Sequence, residues 1–518
     1  MARALGLDIG TTTISGILLD LEKGEVEKAV ALPHHASLPV NSAVGPIHSD
    51  SVRICSMPVP IVRGISLQER GVQHPEKILT CLRSVLASLK GTEEAPLAVD
   101  GISVTGQMHG FLLLGTTGNP VSPIYTWQDR RALEPAALSE GRGLSEGRGL
   151  SEGQGSSQTW LDGFRKLYRE HTPPDNTFEP SAGYMGATLF TLKKTGRFPR
   201  VTCRAAMVQD WISSVLAGTS WKRGAIDPSF AESSGLYLAK TKEWNTALMA
   251  AMNLTEDFFP EVVEPAERIG ATGKSEPALT DGIPIFAGMG DNQASFLGSA
   301  REPADTAVLN IGTAGQVSLL TDTFLSAPGT DTRLLWGNRF LLVGASLSAG
   351  SALTALKNFI EEVGVLFFDT PSGTSPLYEK MNSIAAETTD LRFRTTLSGT
   401  REEPEKSGEI AGLTAGNFHI KDMITSVCDG IVRELFESYN RMGQPREHLV
   451  VSGNALRFNR ALGRSVERIF GKKPLIPRHR EEAAMGAALV AGVGLGIYGN
   501  FEKAAAMVGY LRSQENGA

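Results

Sequence analysis

The stretch LGLDIGTTTISGILLDL, from Leu5 to Leu21, is an apolar segment that meets a Gly-Thr-Thr turn and continues at once as a second apolar segment. This pattern predicts a β-hairpin with Asp8 near the end of its first strand. A glycine at the turn removes the side chain that would block a ligand, and successive N–H groups and threonine hydroxyls then form a concave donor array suited to phosphate oxygens. Asp8 would repel a bare phosphate, so its position favours a Mg²⁺ ion between the carboxylate and the phosphate.

A similar unit occurs later in the chain. LDIGTTTISGILLD (Leu7–Asp20) aligns with LNIGTAGQVSLLTD (Leu309–Asp322) when the chain is shifted by 302 residues, and six positions are identical. Either hairpin alone is better explained as a plain turn on glycine, whereas the matched pair favours phosphate binding. The repeat therefore predicts two related domains that face one another. No GxxxxGK[ST] motif occurs, so the predicted site is not a Walker A loop.

Length and composition restrict the class of protein. A chain of 518 residues is too long for one hydrophobic core, which predicts two large domains. The formal net charge of -6 and the lack of a long basic block argue against a nucleic-acid partner. The N-terminal residues do not resemble a secretory signal, and the uncharged run Ala483–Gly499 is short and rich in alanine and glycine, which predicts a buried helix rather than a membrane span. The cysteines have neither metal-site nor disulfide spacing, which favours a reducing, cytoplasmic location; they are Cys55, Cys81, Cys203 and Cys428.

Short β-type runs alternate with helical stretches such as 206–217 and 418–442, and this alternation predicts an α/β protein. One segment does not fit the pattern. Residues 139–155 read SEGRGLSEGRGLSEGQG, a six-residue repeat that is too polar and glycine-rich to bury a core. This composition predicts a flexible surface insertion over about 139–157.

A candidate catalytic base lies shortly before the second hairpin. GIPIFAGMGDNQASFLG (Gly282–Gly298) consists of an apolar strand, a glycine-broken turn, Asp291 and a predicted helix. The simpler interpretation of Asp291 is a helix N-cap. The glycines at 288 and 290, however, indicate a backbone held close to another group, and phosphoryl transfer needs an acceptor for the proton of the nucleophile. Spacing alone supports the base and the cap equally.

Two further segments carry side chains suited to a sugar. One follows a predicted strand in VTGQMHGFLLL (Val104–Leu114), and the other is YTWQDRR (Tyr125–Arg131). An aromatic ring offers an apolar plate for the C–H face of a sugar, while amides and carboxylates bind its hydroxyls. Ordinary loop residues remain the alternative for both segments. The candidate sugar-binding residues are Gln107, Met108, His109, Trp127, Gln128 and Asp129.

Together these motifs resemble those of the FGGY carbohydrate kinases, members of the actin/Hsp70/hexokinase-type ATPase superfamily. The resemblance covers nearly the whole chain apart from the repeat insertion and the segment from about 36 to 72. It rests on motifs in a fixed order: GLDIGTTT, TGQMHG, TWQDRR, GMGDNQAS, LNIGTAGQ, SLSAGSALTALK, VVSGNALRFNRAL and EEAAMGAALVAG. It implies an α/β fold with two RNase H-like domains around a central cleft. The first domain, 1–299, would carry the sugar pocket, and the second, 300–518, most of the adenosine site.

The resemblance also implies a role for each matching residue. Asp291 matches the catalytic base of the family, and Asp8 matches the carboxylate associated with Mg²⁺. The residues that match nucleotide contacts are Gly10, Thr11 and Thr12 in the first phosphate loop, Gly312 and Thr313 in the second, and Gly350, Gly453, Asn454 and Asn459 around phosphate, ribose and adenine. Two positions depart from the family pattern: Ala314 stands where many relatives carry serine or threonine, and Asn454 replaces a common glycine.

The function implied is ATP- and Mg²⁺-dependent phosphorylation of the terminal hydroxyl of a ketose. QMHG is shared with xylulokinases, whereas TWQDRR, GYMGATLF (Gly183–Phe190) and GDNQASF are closer to the sedoheptulokinase branch. Sedoheptulose is therefore the first expected substrate and D-xylulose the second. A non-catalytic actin/Hsp70-like nucleotide switch is the alternative of another class, but it would not need the Trp127–Asp129 cluster. We expect a small-molecule sugar substrate and no nucleic-acid or membrane partner, and a homodimer is left open.

Overall fold

The computed structural model describes residues 2–37, 71–136 and 158–511, with short gaps at 93, 175–177, 221, 275, 326–328, 370–372, 374–375, 398, 400–402, 404–405, 454–456 and 458. The predicted repeat insertion, Cys55, Asn454 and most of the segment 36–72 lie outside the described residues. The chain divides into two compact units. The first unit comprises Met1–Ala294 and Ala483–Gly499, and the second comprises Ser295–Glu482 and Asn500–Ala518.

The described residues form helices and strands in alternation. The α-helices are α1 (Pro75–Lys90), α2 (Trp160–Glu170), α3 (Met185–Lys194), α4 (Val208–Leu216), α5 (Pro228–Ser233), α6 (Thr246–Ala251), α7 (Asp291–Ser299), α8 (Gly350–Phe368), α9 (Leu377–Ile384), α10 (Ile420–Arg441), α11 (Arg460–Phe470), α12 (Glu482–Gly494) and α13 (Phe501–Ala505). The strands are β1 (Arg3–Ile9), β2 (Thr13–Asp20), β3 (Glu25–Pro33), β4 (Val72–Gln73), β5 (Gly101–Gly106), β6 (Phe111–Leu114), β7 (Ile124–Tyr125), β8 (Arg204–Met207), β9 (Ala225–Ile226), β10 (Tyr237–Leu238), β11 (Glu243–Trp244), β12 (Glu261–Val262), β13 (Arg268–Ala271), β14 (Pro284–Ala287), β15 (Thr306–Ile311), β16 (Gly315–Thr321), β17 (Thr330–Leu334), β18 (Phe340–Ser346), β19 (Arg392–Arg394), β20 (Glu409–Ala411) and β21 (His448–Ser452).

The first unit is built on a six-stranded mixed sheet in the order β13-β14-β5-β1-β2-β3. Strands β1, β2 and β3 are antiparallel neighbours, whereas β5 runs parallel to β1 and β14 runs parallel to β5. The outer strand β3 alternates between exposed and half-buried residues, while β5 is buried along its length. This difference is expected because helices cover both faces of the parallel part of a sheet. A smaller sheet in the order β4-β7-β6-β8 belongs to the same unit.

The second unit contains a five-stranded sheet in the order β17-β18-β16-β15-β21. Its β15–β16 hairpin is flanked by antiparallel β18 on one side and parallel β21 on the other. The β1–β2 hairpin has the same surroundings in the first unit, with antiparallel β3 and parallel β5. The repeat found in the sequence therefore corresponds to the same strand arrangement in both units.

The two hairpins differ in the length of their turns. Ile9 pairs with Ile14 across the first turn, so four residues lie between the last paired residues, whereas Ile311 pairs with Gly315 across the second and leaves three. Gly10 N–H closes the first turn on Thr13 O at 3.0 Å, and Gly312 N–H closes the second on Ala314 O at 2.9 Å. The uniform 302-residue shift is therefore correct for the first strand of each hairpin but wrong by one residue after the turn.

Residues 483–499 belong to the first unit although they lie near the end of the chain, which differs from the predicted division into 1–299 and 300–518. The reason is close packing of helix α12 against the first sheet and α7. A side chain on Gly6 would place its first carbon 2.0 Å from Ala484 O, and one on Gly486 would place it 1.9 Å from Ala294 O. Ala483–Gly499 thus contains the predicted buried helix. Among the helices of the described residues, none is both long and apolar enough to cross a membrane.

We expect Gly486→Ala to lower the free energy of unfolding by about 3 kcal/mol, because the added methyl group overlaps a backbone oxygen of α7 that cannot rotate away. Thermal unfolding followed by circular dichroism measures the change. Gly163→Ala in α2 is the control: its new methyl group meets only Phe190 at 3.5 Å, and alanine should stabilise the helix by about 0.5–1 kcal/mol. Equal melting temperatures for Gly486→Ala and the unmodified protein would contradict the packing described here.

Candidate active site

Three parallel strands of the first unit end at the same edge of the sheet. Ile9 of β1 pairs with Gly106 of β5, and Ala287 of β14 pairs with Val104 of β5. The chain stays together after the strands end, since Gln107 N–H donates to Ile9 O at 2.9 Å. The carboxyl edge of a sheet is where α/β proteins place their ligands. The segments 10–12, 107–109 and 288–291 all follow these strands, so three of the predicted site segments share this edge.

Thr11 joins the first glycine-threonine turn to the predicted sugar-binding residues. Trp127 Nε1–H donates to Thr11 Oγ1 at 3.0 Å, and Thr11 Oγ1–H donates to Gln107 Oε1 at 3.4 Å. A threonine hydroxyl carries only one proton. When that proton is directed at Gln107, the hydroxyl cannot also donate to a phosphate oxygen, so a phosphate contact of Thr11 would use its main-chain N–H. Thr12 is exposed at the turn.

Gln73 completes this network and was not identified from the sequence. Its Nε2–H group donates to Thr11 O at 2.7 Å, and its Oε1 accepts from Gln107 Nε2 at 2.9 Å. Gln73 lies on β4, which pairs with β7 immediately before the TWQDRR segment. Its side chain is 1% exposed. A lone glutamine in a two-residue strand gives no sequence pattern, because its role depends on the pairing of β4 with β7.

Trp127 is 45% exposed although its indole N–H is bonded, so part of the residue is open to solvent. Its backbone is held by close contacts with two glycines. A side chain on Gly183 would place its first carbon 2.0 Å from Trp127 O. Gly71 has a φ of +92°, and a side chain on it would place its first carbon 2.3 Å from the Gln128 carbonyl carbon. The indole is therefore presented by a backbone that has little room to move. Gln128 is exposed beside it.

His109 has a fixed ring orientation. Its φ is +68°, a conformation that few residues other than glycine adopt. His109 Nδ1–H donates to Ser233 O at 2.6 Å, because a carbonyl oxygen can only accept, and the ring lies 4.2 Å from the ring of Tyr184. In the neutral ring Nε2 is then an acceptor. Tyr184 belongs to the GYMGATLF segment, and no role was predicted for it. In the structure it lies against His109 of residues 107–109, which we call the sugar loop.

Asp129 has a different environment from that expected of a sugar ligand. The residue is 1% exposed, and its carboxylate accepts from Arg131 Nε at 2.5 Å and from Arg131 N at 3.0 Å. Burial raises the pKa of Asp129, and the Arg131 charge opposes that rise. Because both oxygens accept from Arg131, Asp129 fixes the conformation of the TWQDRR segment. A direct contact between Asp129 and a sugar hydroxyl stays a prediction.

Asp291 is the first residue of α7 and is half-buried. Its Oδ1 accepts from Asn292 N at 2.8 Å, a local bond compatible with either a capping or a catalytic role. The turn before it is tightly enclosed: a side chain on Gly288 would meet Val104 O at 2.1 Å, and one on Gly290 would meet Met108 Cγ at 3.0 Å. The sugar loop and the Asp291 turn are therefore in direct contact through Met108.

Asp8 is half-buried near the end of β1 and lies beside the turn. A side chain on Gly10 would place its first carbon 3.8 Å from Asp8 Oδ2, so the carboxylate is next to the turn that would bind phosphate. Among the described residues, no group of three or more His, Cys, Asp or Glu side chains could hold a metal ion. Mg²⁺ commonly binds one or two carboxylates together with water and substrate phosphates, so a single Asp8 fits that ion.

In the second unit, the predicted nucleotide residues cluster around the β15–β16 turn. Gly350 N–H donates to Gly312 O at 2.9 Å, and Ser351 N–H donates to Thr313 O at 3.1 Å. A side chain on Gly350 would come within 2.4 Å of Gly312 O. Gly453 has a φ of +84°, and a side chain on it would place its first carbon 3.2 Å from Asn310 Oδ1. Gly312, Thr313, Gly350 and Gly453 are thus neighbours.

Two other residues of the second unit affect this cluster. Asn459 caps α11, since its Oδ1 accepts from Leu462 N at 2.9 Å, and an adenine contact of its amide stays a prediction. Glu482, at the start of α12, accepts from Gly453 N at 3.2 Å, and burial raises the pKa of Glu482 to about 7. Glu482 belongs to the EEAAMG motif, but no role at this cluster was predicted for it from the sequence.

Known proteins are similar to this chain in sequence and in fold. A sequence profile described as "FGGY family of carbohydrate kinases, N-terminal domain" matches residues 191–298. Sedoheptulokinase from Mus musculus is 26% identical over 94% of this chain and 96% of its own length, and xylulose kinase from Lactococcus lactis is 22% identical over 97% and 90%. Among solved structures, xylulose kinase from Lactobacillus acidophilus superposes with a TM-score of 0.73 at 17% identity, covering 99% of this chain and 93% of that one. Glycerol kinase from Plasmodium falciparum with ADP gives 0.71 at 17% identity, covering 98% and 92%.

The chain has the actin/hexokinase-like fold of the sugar kinases, so the predicted fold class is confirmed. Its sequence matches the N-terminal domain of the FGGY family of carbohydrate kinases over residues 191–298, and it is similar to carbohydrate kinases over nearly the whole chain.

Thr11→Val should raise the KM for sugar about 10-fold and change the KM for ATP less, because it removes the hydroxyl that bonds Trp127 and Gln107. Thr12→Val, the control at the neighbouring exposed position, should affect ATP more than sugar. Steady-state kinetics with each substrate varied in turn measure both constants. A Thr11→Val enzyme with a raised KM for ATP and an unchanged KM for sugar would show that the hydroxyl binds phosphate.

Proposed function

We propose that the protein transfers the γ-phosphoryl group of ATP to the terminal hydroxyl of a ketose, with sedoheptulose as the substrate and sedoheptulose 7-phosphate as the product. The observation that carries the proposal is the edge shared by β1, β5 and β14, where an exposed indole, a fixed imidazole and the Asp291 turn are linked by contacts. A relative named sedoheptulokinase matches over 94% of the chain. D-Xylulose is the second candidate, because relatives named xylulose kinase match at 22–25% identity.

In the proposed reaction the sugar lies on the exposed side of Trp127, between Met108 and His109. His109 Nε2 and the exposed amide of Gln128 bind hydroxyls, and Tyr184 behind His109 limits the space for the far end of the chain. Asp291 accepts the proton of the terminal hydroxyl as its oxygen attacks the γ-phosphorus and ADP leaves. Phosphoryl transfer asks little more of the protein than position and charge stabilisation. The half-buried position of Asp291 supports this role, because a carboxylate there can reach both the turn and solvent.

We assign phosphate contacts to each of the two glycine-threonine turns. Gly10, Thr11 and Thr12 would donate main-chain N–H groups in the first turn, and Gly312 and Thr313 would do so in the second. Bound Mg²⁺ would neutralise the phosphates, with Asp8 as its carboxylate. Adenosine would bind near Gly350, Gly453, Asn454 and Asn459. The contact of Gly350 with Gly312 supports a common role for these two residues, since a side chain on Gly350 would come within 2.4 Å of Gly312 O.

A reducing, cytoplasmic setting also belongs to the proposal. Cys81 and Cys428 are buried free thiols, and Cys203 is an exposed free thiol. Exposed free thiols are typical of proteins kept in a reducing compartment. The homodimer remains a prediction, which the molar mass in solution measured by light scattering would test.

The substrate is tested by ADP release with purified protein, ATP and Mg²⁺ against sedoheptulose, xylulose, ribulose, fructose and glycerol. We expect the highest kcat/KM with sedoheptulose and a lower but measurable value with xylulose, which is shorter by two CHOH groups and so makes fewer contacts, each of modest effect. A highest value with xylulose would replace the first candidate by the second. ADP release that no sugar accelerates would contradict the proposed function.

Asp291→Ala should lower kcat at least 100-fold, because a positioned general base contributes about 10²–10⁴-fold. ATP affinity, measured by fluorescence with a labelled nucleotide, should stay within a few-fold. The control is Asp281→Ala, which removes an exposed carboxylate ten residues earlier in the same unit. Near-native turnover by Asp291→Ala would show that Asp291 serves only the helix.

A further inference from the structure

The short helix α5 contacts both the sugar loop and the Asp291 turn. At its beginning, Ser229 Oγ accepts from Gly290 N at 2.9 Å, directly before Asp291. At its end, Ser233 accepts twice from His109: its carbonyl from Nδ1–H at 2.6 Å and its hydroxyl from the main-chain N–H at 3.3 Å. One rigid turn of helix therefore fixes the position of the residue before the proposed base and the orientation of the proposed sugar ligand.

Asp227 anchors the beginning of this helix. Its Oδ1 accepts from Ser229 Oγ at 2.8 Å and from Phe230 N at 3.1 Å, and the residue is fully buried. Because the single proton of the Ser229 hydroxyl is committed to Asp227, a lone pair of the same oxygen is left for Gly290 N–H. Asp227 thus decides which way the Ser229 hydroxyl points, and through it affects the Gly290 amide.

The surroundings of Asp227 are unusual for a residue that only caps a helix. Most N-cap carboxylates are near the surface, where water solvates the charge, whereas Asp227 Oδ2 is buried with no hydrogen-bond partner among the described residues. A buried oxygen without a partner costs free energy that a serine or asparagine at the same position would reduce. Such a cost is commonly found at functional sites.

We propose that Asp227 is a positioning residue for the transfer reaction, which acts through Ser229 on the backbone of Gly290 and through helix α5 on His109. The inference rests on the proposed function of Asp291 and His109. The segment from Asp227 to Ser233 then holds the base and the sugar at a fixed separation, so its loss should lower kcat more than it changes the KM for ATP.

The charge of Asp227 gives this role a pH dependence. Burial raises the pKa of Asp227 to about 7, and the charge of Glu264, which follows β12, adds to the rise. Tyr237 on β10 is affected by the charges of Asp227, Glu264, Glu243 on β11 and Glu232 on α5, and burial raises the pKa of Tyr237 as well. An ionised carboxylate accepts hydrogen bonds more strongly than a neutral one. The alignment of Ser229 should therefore improve as the pH rises through about 7.

Hydrogen exchange tests the positioning directly and does not require that the substrate be known. In Ser229→Ala and Asp227→Asn the amide of Gly290 should exchange about 10-fold faster than in the unmodified protein, because its acceptor is removed or misdirected. Ser213→Ala is the matched control: it removes a buried serine hydroxyl of the same unit that bonds only Gln209 O of its own helix. Unchanged exchange at Gly290 in both variants would overturn the inference, even if the protein proved inactive on every sugar.

Kinetics test the consequence for the reaction. With whichever sugar the unmodified enzyme phosphorylates, Asp227→Asn should lower kcat about 10-fold at pH 8 and lose the increase in kcat between pH 6 and pH 8. The KM for ATP should change less than three-fold. An Asp227→Asn enzyme with an unmodified pH profile would overturn the role in the reaction, whereas an inactive unmodified enzyme would contradict the proposed function instead.

Thermal unfolding provides the folding control, and the sign follows from the raised pKa. Because the pKa of Asp227 in the folded protein, about 7, lies above the ordinary value of 3.8, the folded state binds the proton more tightly between these pH values. The contribution of Asp227 to stability therefore falls as the pH rises from about 4 to about 7. Asp227→Asn should melt no lower than the unmodified protein at pH 8, so a loss of turnover there is not a loss of folding.

Discussion

The parallel alignment of β1, β5 and β14 is the constraint on which the candidate active site depends. Because Ile9 lies opposite Gly106 and Ala287 lies opposite Val104, the chain leaves all three strands at one edge of the sheet. A slip of one residue in either pairing would turn the side chains of a strand to the other face and separate the three segments. The proposed kinase activity of this chain therefore depends first on the register of these strands.

Both units use a glycine backbone and a buried carboxylate to shape their turns. In the first unit, Asp227 fixes Gly290 through Ser229, and in the second, Glu482 accepts directly from Gly453 N. Burial raises the pKa of each carboxyl to about 7. A glycine amide has no side chain to hold it in place, so a fixed acceptor is the simplest way to define its position. Burying a carboxylate lowers the free energy of unfolding. Such costs are common at sites where the position of a group determines the geometry of a reaction.

The sequence was sufficient for the features that depend on local pattern. The β1–β2 and β15–β16 hairpins, the α/β class and the order of the FGGY motifs could all be predicted from short segments. The one-residue difference between the two turns could not, because identity along the chain does not show where a pair of strands closes. Gln73 and Ser229 were missed for a related reason: each is an ordinary polar residue whose partners come from distant segments. Asp129, by contrast, lies in a recognised motif that predicted a sugar contact. The motif did not show that its carboxylate accepts a hydrogen bond from Arg131.

The central claim is that the sugar, Asp291 and the first glycine-threonine turn meet at this edge of the sheet. A crystal structure with sedoheptulose and ADP tests it most directly. We expect the sugar to lie against the exposed side of Trp127, with its terminal hydroxyl oxygen about 2.6–3.2 Å from an Asp291 carboxylate oxygen, the distance required for proton transfer. A sugar bound away from Trp127, or a terminal hydroxyl that points away from Asp291, would contradict it.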